Sequence, residues 1–551
     1  MRAFWQKKKI YFILIIVGII IYSNALTNQL FWDDNDGIVN NAYIKDWQYL
    51  PNYFSENLIA GAGLSSNYWR PILLITYAIE WEIWGLWPAG YHLVSILVHI
   101  FACLLIFKLF NLLTKKRWLA FFSALLFLVH PLQTEAVTYV SGLADPLSTA
   151  FTVLGLIYYL KRGKENILWP VWFFFILALM TKEKALLIFP ALLFILELTV
   201  FLHENPKTIN FIQWKEWFFL KAKSLWPIFA IGIFYVLLRA TSLNFQNTFN
   251  LYDGANVYAD SILVRTWTFL KIFPNYLKLI FWPFELHMER LVQIETSFFS
   301  SLVFLGLIFL ALLFFRALSQ AKKNPFIFFA LGWFLSSLLS SSGIPAVSSG
   351  IMYEHYLYLP LAGFFLWLGL ELENLTNYLK KTVLVKQIIF ILVLAIAFFF
   401  SVLTIQRNRV WKTPITLYEN ILDYNQTSLR VWNNLGMAYA DTKQMDNAVN
   451  AYQKATELDP QKVSAPPYHN LANAFSALGK KDEAIANYKE ALRINPDFTF
   501  SYGALFNLYI EEKRYDEAIA FFEDLSQKSP RNKSGINEIL NMLKKVKAGA
   551  M

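Results

Sequence analysis

The stretch GYHLVSILVHIFACLLIFKLFNL, residues 90–112, decides the fold class. It is apolar almost throughout, and a helix of this length can cross a bilayer, which takes about 20 residues. Similar runs recur as far as residue 404. The chain is 56% hydrophobic and only 16% charged, against about 25% charged in soluble domains. The sequence therefore predicts a polytopic membrane protein.

The apolar runs predict a first, uncleaved span near the N-terminus and ten further spans. The segment 262–283 is interrupted by Lys271, Pro274 and Lys278, so whether it crosses the membrane stays open. If it is an interfacial or re-entrant helix, the domain 1–408 has about eleven spans. The further spans are expected at about 90–112, 118–134, 146–160, 167–181, 185–203, 224–240, 299–316, 325–342, 356–373 and 384–404.

Basic clusters fix the predicted topology, because Lys and Arg gather on the cytoplasmic side of membrane proteins. With eleven spans, all the clusters between spans fall on that side. The first loop, about 26–88, and the C-terminus are then extracytoplasmic. The same rule accounts for the net charge of +10 without a nucleic-acid partner. The clusters are Lys115/Lys116/Arg117, Lys161/Arg162/Lys164, Lys221/Lys223, Lys322/Lys323 and Lys380/Lys381.

A change in composition near residue 410 marks a second domain, 409–551. Three similar segments follow one another there, at about 429–462, 465–498 and 499–532, with the period of about 34 residues that is typical of tetratricopeptide repeats (TPRs). The sequence predicts an all-α solenoid with a concave face for extended ligands. A stabilising or oligomerising cap is the alternative. The copies align at Ala448/Ala484/Ala518 and at Pro460/Pro496/Pro530.

Two adjacent aspartates, Asp33 and Asp34, follow the first apolar run in LFWDDNDGIVNN, residues 30–41. A carboxylate at an apolar boundary can act as a general base if its pKa and position suit an incoming hydroxyl. Adjacent side chains on a turn point in different directions, so one can face a pocket while the other orients donors or holds a cation. Taken alone, a solvated loop pair is the alternative.

Ionisable residues also gather at the other predicted extracytoplasmic ends, and such residues near a membrane are candidates for function. The Arg70 guanidinium, in YWRP, suits a phosphate. Each residue alone fits a packing or snorkelling role, but their gathering on one side favours a site for substrate and lipid phosphate. The other candidates are His92, His99, His130, Glu135, Asp145, Lys182, Glu183, Glu354, His355 and Tyr358.

Several motifs, in this order and followed by TPRs, resemble the transmembrane-and-TPR-containing O-mannosyltransferases. That family lies in the protein O-mannosyltransferase branch of the C-type glycosyltransferases. The resemblance covers nearly the whole chain. The motifs are FWDDNDGIVNN, YWRPILLITYAIE, GYHLVSILVH, HPLQTEAVTYVSGLADPLS, KEKALL and YEHYLYLPLAGF.

The resemblance implies a multi-span helical fold and transfer of a sugar, mannose, from a polyprenyl-phosphate donor to a Ser or Thr hydroxyl of a protein. By matching position, Asp33 and Asp34 are the catalytic pair, with Asp33 as the base. Arg70, Lys182 and His355 would hold the lipid phosphate. We expect inversion by single displacement, since a base that deprotonates the acceptor needs no covalent intermediate. No metal ligand set is predicted, and a divalent cation is left open.

Two other classes of function fit a polytopic chain with TPRs. A transporter or flippase should show repeat symmetry among its spans, and none is visible. A membrane-anchored TPR scaffold without catalysis does not need acids and histidines at one membrane edge. Transfer to lipid or glycan stays open. We expect a prokaryotic plasma membrane, with the catalytic loop and TPRs extracytoplasmic, and an acceptor polypeptide bound with help from the TPRs.

Overall fold

The computed structural model describes residues 2–162, 168–205, 211–245, 257–344, 350–378 and 383–548. Within these ranges the chain is helical and contains no β-strand, which confirms the predicted all-α class. The chain divides into two compact units, Met1–Lys412 and Thr413–Met551. Three basic positions used for the predicted topology, Lys164, Lys380 and Lys381, lie outside the described ranges.

The first unit is built from long apolar helices with several single-turn helices between them. Its helices are α1 (Arg2–Tyr22), α2 (Asn52–Ser55), α3 (Pro71–Trp84), α4 (Pro88–Thr114), α5 (Arg117–Val129), α6 (Thr134–Val137), α7 (Ala144–Lys161), α8 (Trp169–Leu179), α9 (Ala185–Glu204), α10 (Phe211–Ala240), α11 (Val257–Asp260), α12 (Ile262–Phe281), α13 (Ser301–Gln320), α14 (Pro325–Leu339), α15 (Tyr358–Tyr378) and α16 (Val383–Val410).

In the described part of the chain, seven segments are long and apolar enough to cross a membrane, carried by α1, α4, α7, α9, α10, α13 and α16. The α5 helix and the turns through Val137 form an eighth candidate, bent by 58°, where Pro131 cannot continue the helical hydrogen bonds. The remaining predicted spans fall on the shorter apolar helices α8 and α14 and on α15. The polytopic helical architecture is therefore confirmed.

Helix α4 lies at the centre of the first unit, in contact with α1, α5 and α7. Its buried face includes Ile96, Ile100, Cys103, Phe107 and Phe110, spaced three or four residues apart as one side of a helix requires. In a bilayer the gain from this face comes from close packing rather than from removing apolar surface from water.

Helix α12 covers the segment whose membrane crossing the sequence leaves open, and it is not among the span candidates. One side is buried, including Phe273, while Lys271 on the other side forms an ion pair with Glu295 at 3.3 Å. Helix α13 approaches it very closely. A Cβ atom at Gly306 would lie 1.8 Å from the Leu270 carbonyl oxygen, so only glycine allows the two backbones to touch here.

The loop between α1 and α3 folds back on itself. The buried Asn41 side chain donates to the carbonyl oxygens of Gly37 and Leu58, at 3.2 Å each. Ile38 from this loop packs in one apolar cluster with Tyr77 of α3 and Val140 from the turn before α7. This packing places the aspartate turn beside the ends of the apolar helices.

The second unit is a run of helical hairpins. The pairs α18/α19, α20/α21 and α22/α23 carry the three repeats, their aligned alanines are fully buried, and their aligned prolines lie just after α19, α21 and α23. The predicted TPR solenoid is confirmed. The helices are α17 (Pro414–Tyr424), α18 (Leu429–Asp441), α19 (Met445–Glu457), α20 (Ala465–Ala477), α21 (Lys481–Ile494), α22 (Phe500–Glu511), α23 (Tyr515–Lys528) and α24 (Lys533–Lys547).

Candidate active site

The turn after α1 gives Asp33 and Asp34 opposite surroundings, since Asp33 is exposed and Asp34 is buried. The Asp33 backbone N–H donates to the Tyr139 hydroxyl at 3.0 Å, and the same hydroxyl hydrogen-bonds the Asp33 carboxylate. Trp32 has a φ of +59°, a left-handed conformation that a bulky side chain rarely adopts. The backbone therefore turns sharply just before the two acids.

Asp34 is fixed by three hydrogen bonds. Its Oδ1 accepts from the Ser141 backbone N–H at 2.8 Å and from the Ser141 hydroxyl at 2.5 Å. Its Oδ2 accepts from the Phe31 N–H at 3.3 Å. Burial raises the pKa of Asp34, the hydrogen bonds from Ser141 and Phe31 lower it, and the result is about 7. Asp34 therefore connects the first loop to the turn before α7.

Tyr139 hydrogen-bonds Asp33 and packs against a second aromatic ring. Its ring stacks on Trp411, with centroids 5.2 Å apart and planes 21° from parallel. Burial and the charges of Asp33 and Asp34 raise its pKa well above the usual value. Its hydroxyl consequently stays protonated and can donate to the Asp33 carboxylate.

Arg70 forms a two-pronged ion pair with Glu183. Its Nη2 lies 2.7 Å from Oε1 and its Nε 3.1 Å from Oε2, and the Tyr68 ring lies 4.3 Å from the guanidinium. Burial would raise the pKa of Glu183, but the charge and hydrogen bonds of Arg70 outweigh it and lower the value to about 2. Two of the predicted site residues are thus brought together, with Glu183 orienting Arg70.

Lys182 and Lys184 lie on either side of Glu183 in the turn between α8 and α9. Lys182 Nζ pairs with Asp145 Oδ2 at 2.6 Å. Lys184 Nζ donates to the Ser341 hydroxyl at 2.9 Å and has no carboxylate in ion-pair distance among the described residues. Burial and the neighbouring Lys182 hold the pKa of Lys184 well below its usual value. Such a buried amine favours an anionic ligand that would restore its charge.

Glu135 and His355 are two further predicted site residues that the structure brings together. His355 Nδ1 lies 2.8 Å from Glu135 Oε1, and the His355 backbone N–H donates to Oε2 at 3.0 Å. Burial and then the charge of Lys182 hold the pKa of His355 well below its usual value, with Lys184 and Arg70 acting in the same direction. His355 is therefore neutral near pH 7, and it lies within the field of the predicted phosphate cations.

Two arginines that the sequence analysis does not single out for the site lie against Glu354. Arg290 Nη2 is 2.9 Å from Glu354 Oε1, and Arg407 Nη2 is 3.6 Å from Oε2. Burial raises the pKa of Glu354, and the two guanidinium groups oppose that rise. Arg407 lies in the last turn of α16, and Arg290 follows α12 in a segment without a motif.

The other predicted residues lie among the helices and contact protein groups. His99 Nδ1 lies 2.7 Å from the Tyr358 hydroxyl and His99 Nε2 lies 3.2 Å from the Leu128 carbonyl oxygen. His130 Nε2 lies 3.0 Å from the Ile280 carbonyl oxygen. These contacts join helices, so a role in substrate binding stays a prediction for His99, His130 and Tyr358.

His92 is buried on α4 near the backbone of Asn28 and Thr138, and its substrate-binding role likewise stays a prediction. Sequence reasoning misses Tyr139 and Ser141 as partners of the aspartates. Both lie in the TYVSG stretch of a motif that carries the resemblance, which was the available signal. Within the described ranges, no three His, Cys, Asp or Glu side chains come together as a metal site.

The comparisons with known proteins confirm the resemblance. Residues 427–497 and 476–535 match family models described as tetratricopeptide repeat. The chain is 27% identical over 465 residues to protein O-mannosyl-transferase F38B6.6 of Caenorhabditis elegans, covering 81% of this chain and 62% of that protein. It is 25% identical to protein O-mannosyl-transferase TMTC3 of Mus musculus, covering 82% of this chain and 52% of that protein.

A third relative, protein O-mannosyl-transferase TMTC4 of Homo sapiens, is 25% identical to this chain. The alignment covers 82% of this chain and 66% of that protein. The chain thus spans about half to two thirds of the length of these curated relatives. A solved structure of the APC/C hetero-tetramer Cut9–Hcn1 aligns with 14% identity and a TM-score of 0.21, which is too low to support any argument about the fold.

Proposed function

We propose that this chain is an integral-membrane O-mannosyltransferase that moves mannose from a polyprenyl-phosphate donor to a Ser or Thr hydroxyl of a protein. The observation that carries the proposal is the difference in surroundings between the two aspartates. Asp34 is buried and accepts three hydrogen bonds, whereas Asp33 is exposed and bonded to Tyr139. The names of the relatives support transfer of mannose to protein.

The exposed acid is the base in this proposal. The acceptor hydroxyl gives its proton to the Asp33 carboxylate while its oxygen attacks the anomeric carbon of the sugar. The bond from that carbon to the phosphate oxygen breaks, and polyprenyl phosphate leaves with the electron pair. Attack and departure on opposite faces invert the anomeric centre. The Tyr139 hydroxyl keeps the carboxylate oriented.

The leaving phosphate is stabilised by the cations between α3, α8 and α9. Arg70 offers a guanidinium fixed by Glu183, and Lys182 is fixed by Asp145. Lys184 lacks such a carboxylate among the described residues, so an arriving phosphate supplies the missing counter-charge. Positioned cations of this kind stabilise charge that develops in the transition state. His355 is a further partner for the phosphate. Glu135, whose pKa burial raises, donates its proton to Nδ1, and the Nε2–H of the neutral ring donates to the phosphate.

The remaining parts of the proposal concern location and the acceptor. The apolar helices place the protein in a membrane, and the basic clusters favour an extracytoplasmic first loop and TPR unit. The TPR unit helps to bind the acceptor polypeptide. The prokaryotic plasma membrane is a prediction from the sequence, and the three relatives named above, which are animal proteins, give it no support.

The test uses the purified full chain in a membrane mimic with a panel of polyprenyl-phosphate sugars and a Ser/Thr-rich peptide. We expect mannose transfer and an α-linkage if the donor is the β-anomer. Lys184→Gln should raise the KM for the donor about tenfold or more, while Lys323→Gln, at an exposed position after α13, should not. No transfer with any donor and any hydroxyl acceptor would contradict the proposal and favour a scaffold or transporter.

A further inference from the structure

A groove opens between three helices of the first unit, at the ends far from the aspartates. It has a volume of about 550 Å³ and lies between the beginning of α5, the last turns of α15 and the first turns of α16. The opposite ends of these helices lead to His130, Glu354 and Arg407. The groove is therefore separate from the candidate active site.

The lining of the groove combines cations with apolar walls. Lys116, Arg117 and Lys386 line it together with one carboxylate, Glu373. Lys116 pairs with Glu373 at 2.7 Å. With three basic residues and one carboxylate, the lining carries a net positive charge. The first backbone N–H groups of α5 add to it, because a helix N-terminus favours anions.

The walls are aromatic and aliphatic. The rings of Phe122 and Phe390 meet edge to face, with centroids 5.4 Å apart, and both line the groove. Trp118, also in the lining, is 61% exposed and stacks on Phe122. Tryptophan at the end of an apolar helix is typical of the level of the lipid headgroups.

We propose that this groove binds an anionic glycerophospholipid, with the phosphate near Arg117 and Lys386 and the upper acyl chains against Phe122 and Phe390. Basic pockets between membrane helices bind such headgroups, and this volume is typical of ligand sites. A polyprenyl phosphate shares the headgroup chemistry. The position of the groove argues against it, because a donor bound there would be far from Asp33. The proposal goes beyond sugar transfer and does not depend on it.

The experiment is native mass spectrometry of the full chain released from mild detergent. The probes are phosphatidylglycerol, phosphatidylcholine with the same acyl chains, and undecaprenyl phosphate, each at equal mole fraction. We expect phosphatidylglycerol to bind most tightly and Lys386→Gln to weaken it about threefold to tenfold. Lys323→Gln is the matched control, since it removes an exposed lysine outside the groove, and it should leave binding unchanged.

A second variant distinguishes lipid binding in the groove from general attraction of anionic lipids to the basic surface of the protein. Ile389→Trp fills the groove while keeping every charge, and it should abolish phosphatidylglycerol binding. The Tm of the variant, measured in parallel, is the folding check. Equal binding of the two phospholipids, an equal effect of Lys323→Gln, or unchanged binding in Ile389→Trp would overturn the proposal. Preference for undecaprenyl phosphate over phosphatidylglycerol would overturn it as well.

Discussion

Asp34 accepts two hydrogen bonds from Ser141, one from its backbone and one from its hydroxyl, at 2.8 and 2.5 Å. The two residues are far apart in sequence, and their contact joins the loop after α1 to the turn before α7. In the proposed mechanism Asp34 therefore has a positioning role. Its exposed neighbour, Asp33, is the acid that meets the acceptor.

The pKa of Asp34 makes stability depend on pH. Its folded value of about 7 lies above the ordinary value of 3.8, so the folded chain binds this proton more tightly than the unfolded chain. The stabilising contribution is complete below about pH 4 and is lost as the pH rises to about 7. Asp34→Asn stays neutral at every pH. The Tm of this variant minus the Tm of the wild type should therefore increase as the pH rises from about 5 to about 7.

The control for that comparison is Glu82→Gln, which removes an exposed carboxylate from α3. The pH dependence of its Tm should be the same as that of the wild type. The measurement is thermal unfolding of the full chain in detergent across the pH range. If Asp34→Asn and the wild type kept a constant difference in Tm throughout, Asp34 would not be the titrating group.

The pair of Arg70 and Glu183 should behave as a buried ion pair, because their side chains are only 12% and 17% exposed. Removing either partner leaves a buried charge, so Arg70→Gln or Glu183→Gln should each lower the free energy of unfolding by about 3–5 kcal/mol. The double variant should recover most of that loss. Arg70→Gln and the double variant should both show a higher KM for the donor lipid than the wild type.

Unfolding and transfer kinetics of the two single variants and the double variant provide the measurement. A double variant as unstable as the sum of the singles would show that the residues act independently. If the double variant recovered the wild-type KM as well as the stability, Arg70 would have a structural role and no role in binding the donor.

Tyr358 and His99 should matter for stability more than for substrate. Tyr358→Phe removes a buried 2.7 Å hydrogen bond to His99, and leaving that ring nitrogen without a partner should cost about 1–3 kcal/mol. The KM for donor should stay unchanged. Tyr158→Phe, on the exposed side of α7, is the control. A raised KM at unchanged Tm would instead place Tyr358 in the substrate site.

Two glycines of the TPR unit should respond to alanine in opposite ways. A Cβ at Gly436 would lie 2.5 Å from the Tyr452 ring, whereas nothing lies within 4 Å of a Cβ at Gly503. Gly436→Ala should destabilise the α18/α19 hairpin by about 1–3 kcal/mol. Gly503→Ala should stabilise α22 by about 0.5–1 kcal/mol, because alanine favours helix.

Hydrogen exchange of the full chain, measured by mass spectrometry, reports the local stability of the α18/α19 and α22/α23 hairpins separately. Faster exchange in α18 and α19 for Gly436→Ala, and slower exchange in α22 for Gly503→Ala, is the expected pattern. Slower or unchanged exchange in α18 and α19 for Gly436→Ala would contradict the packing described for Gly436, and faster exchange in α22 for Gly503→Ala would contradict the open space at Gly503.

The fold was predictable because its signals are periodic and local. Apolar runs mark the membrane helices, and the repeats show small residues and prolines at constant spacing. Helix α12 stays ambiguous in sequence because two lysines and a proline interrupt it, while its neighbours in space supply Glu295 and Gly306. Those contacts come from distant segments, and no local pattern contains them.

The site was predictable in part. Asp33, Asp34, Arg70 and Lys182 stand out because charge at an apolar boundary is costly and therefore informative. Their partners were harder to find. The pairing of Asp34 with Ser141, or of Glu354 with Arg290, depends on how helices cross, which the sequence does not encode locally. His99 and His130 are site candidates from the sequence, and their role in substrate binding stays a prediction. In the fold their ring nitrogens lie near carbonyl oxygens of neighbouring helices.

The most direct test of the central claim is the rate of mannose transfer from polyprenyl-phosphate mannose by Asp33→Asn, beside Asp34→Asn and the control Asp36→Asn. If Asp33 is the general base, its loss should lower kcat by about 100-fold or more with the Tm unchanged. Asp36→Asn should stay near wild type. Near-normal turnover in Asp33→Asn, in a preparation whose wild type is active, would contradict the account.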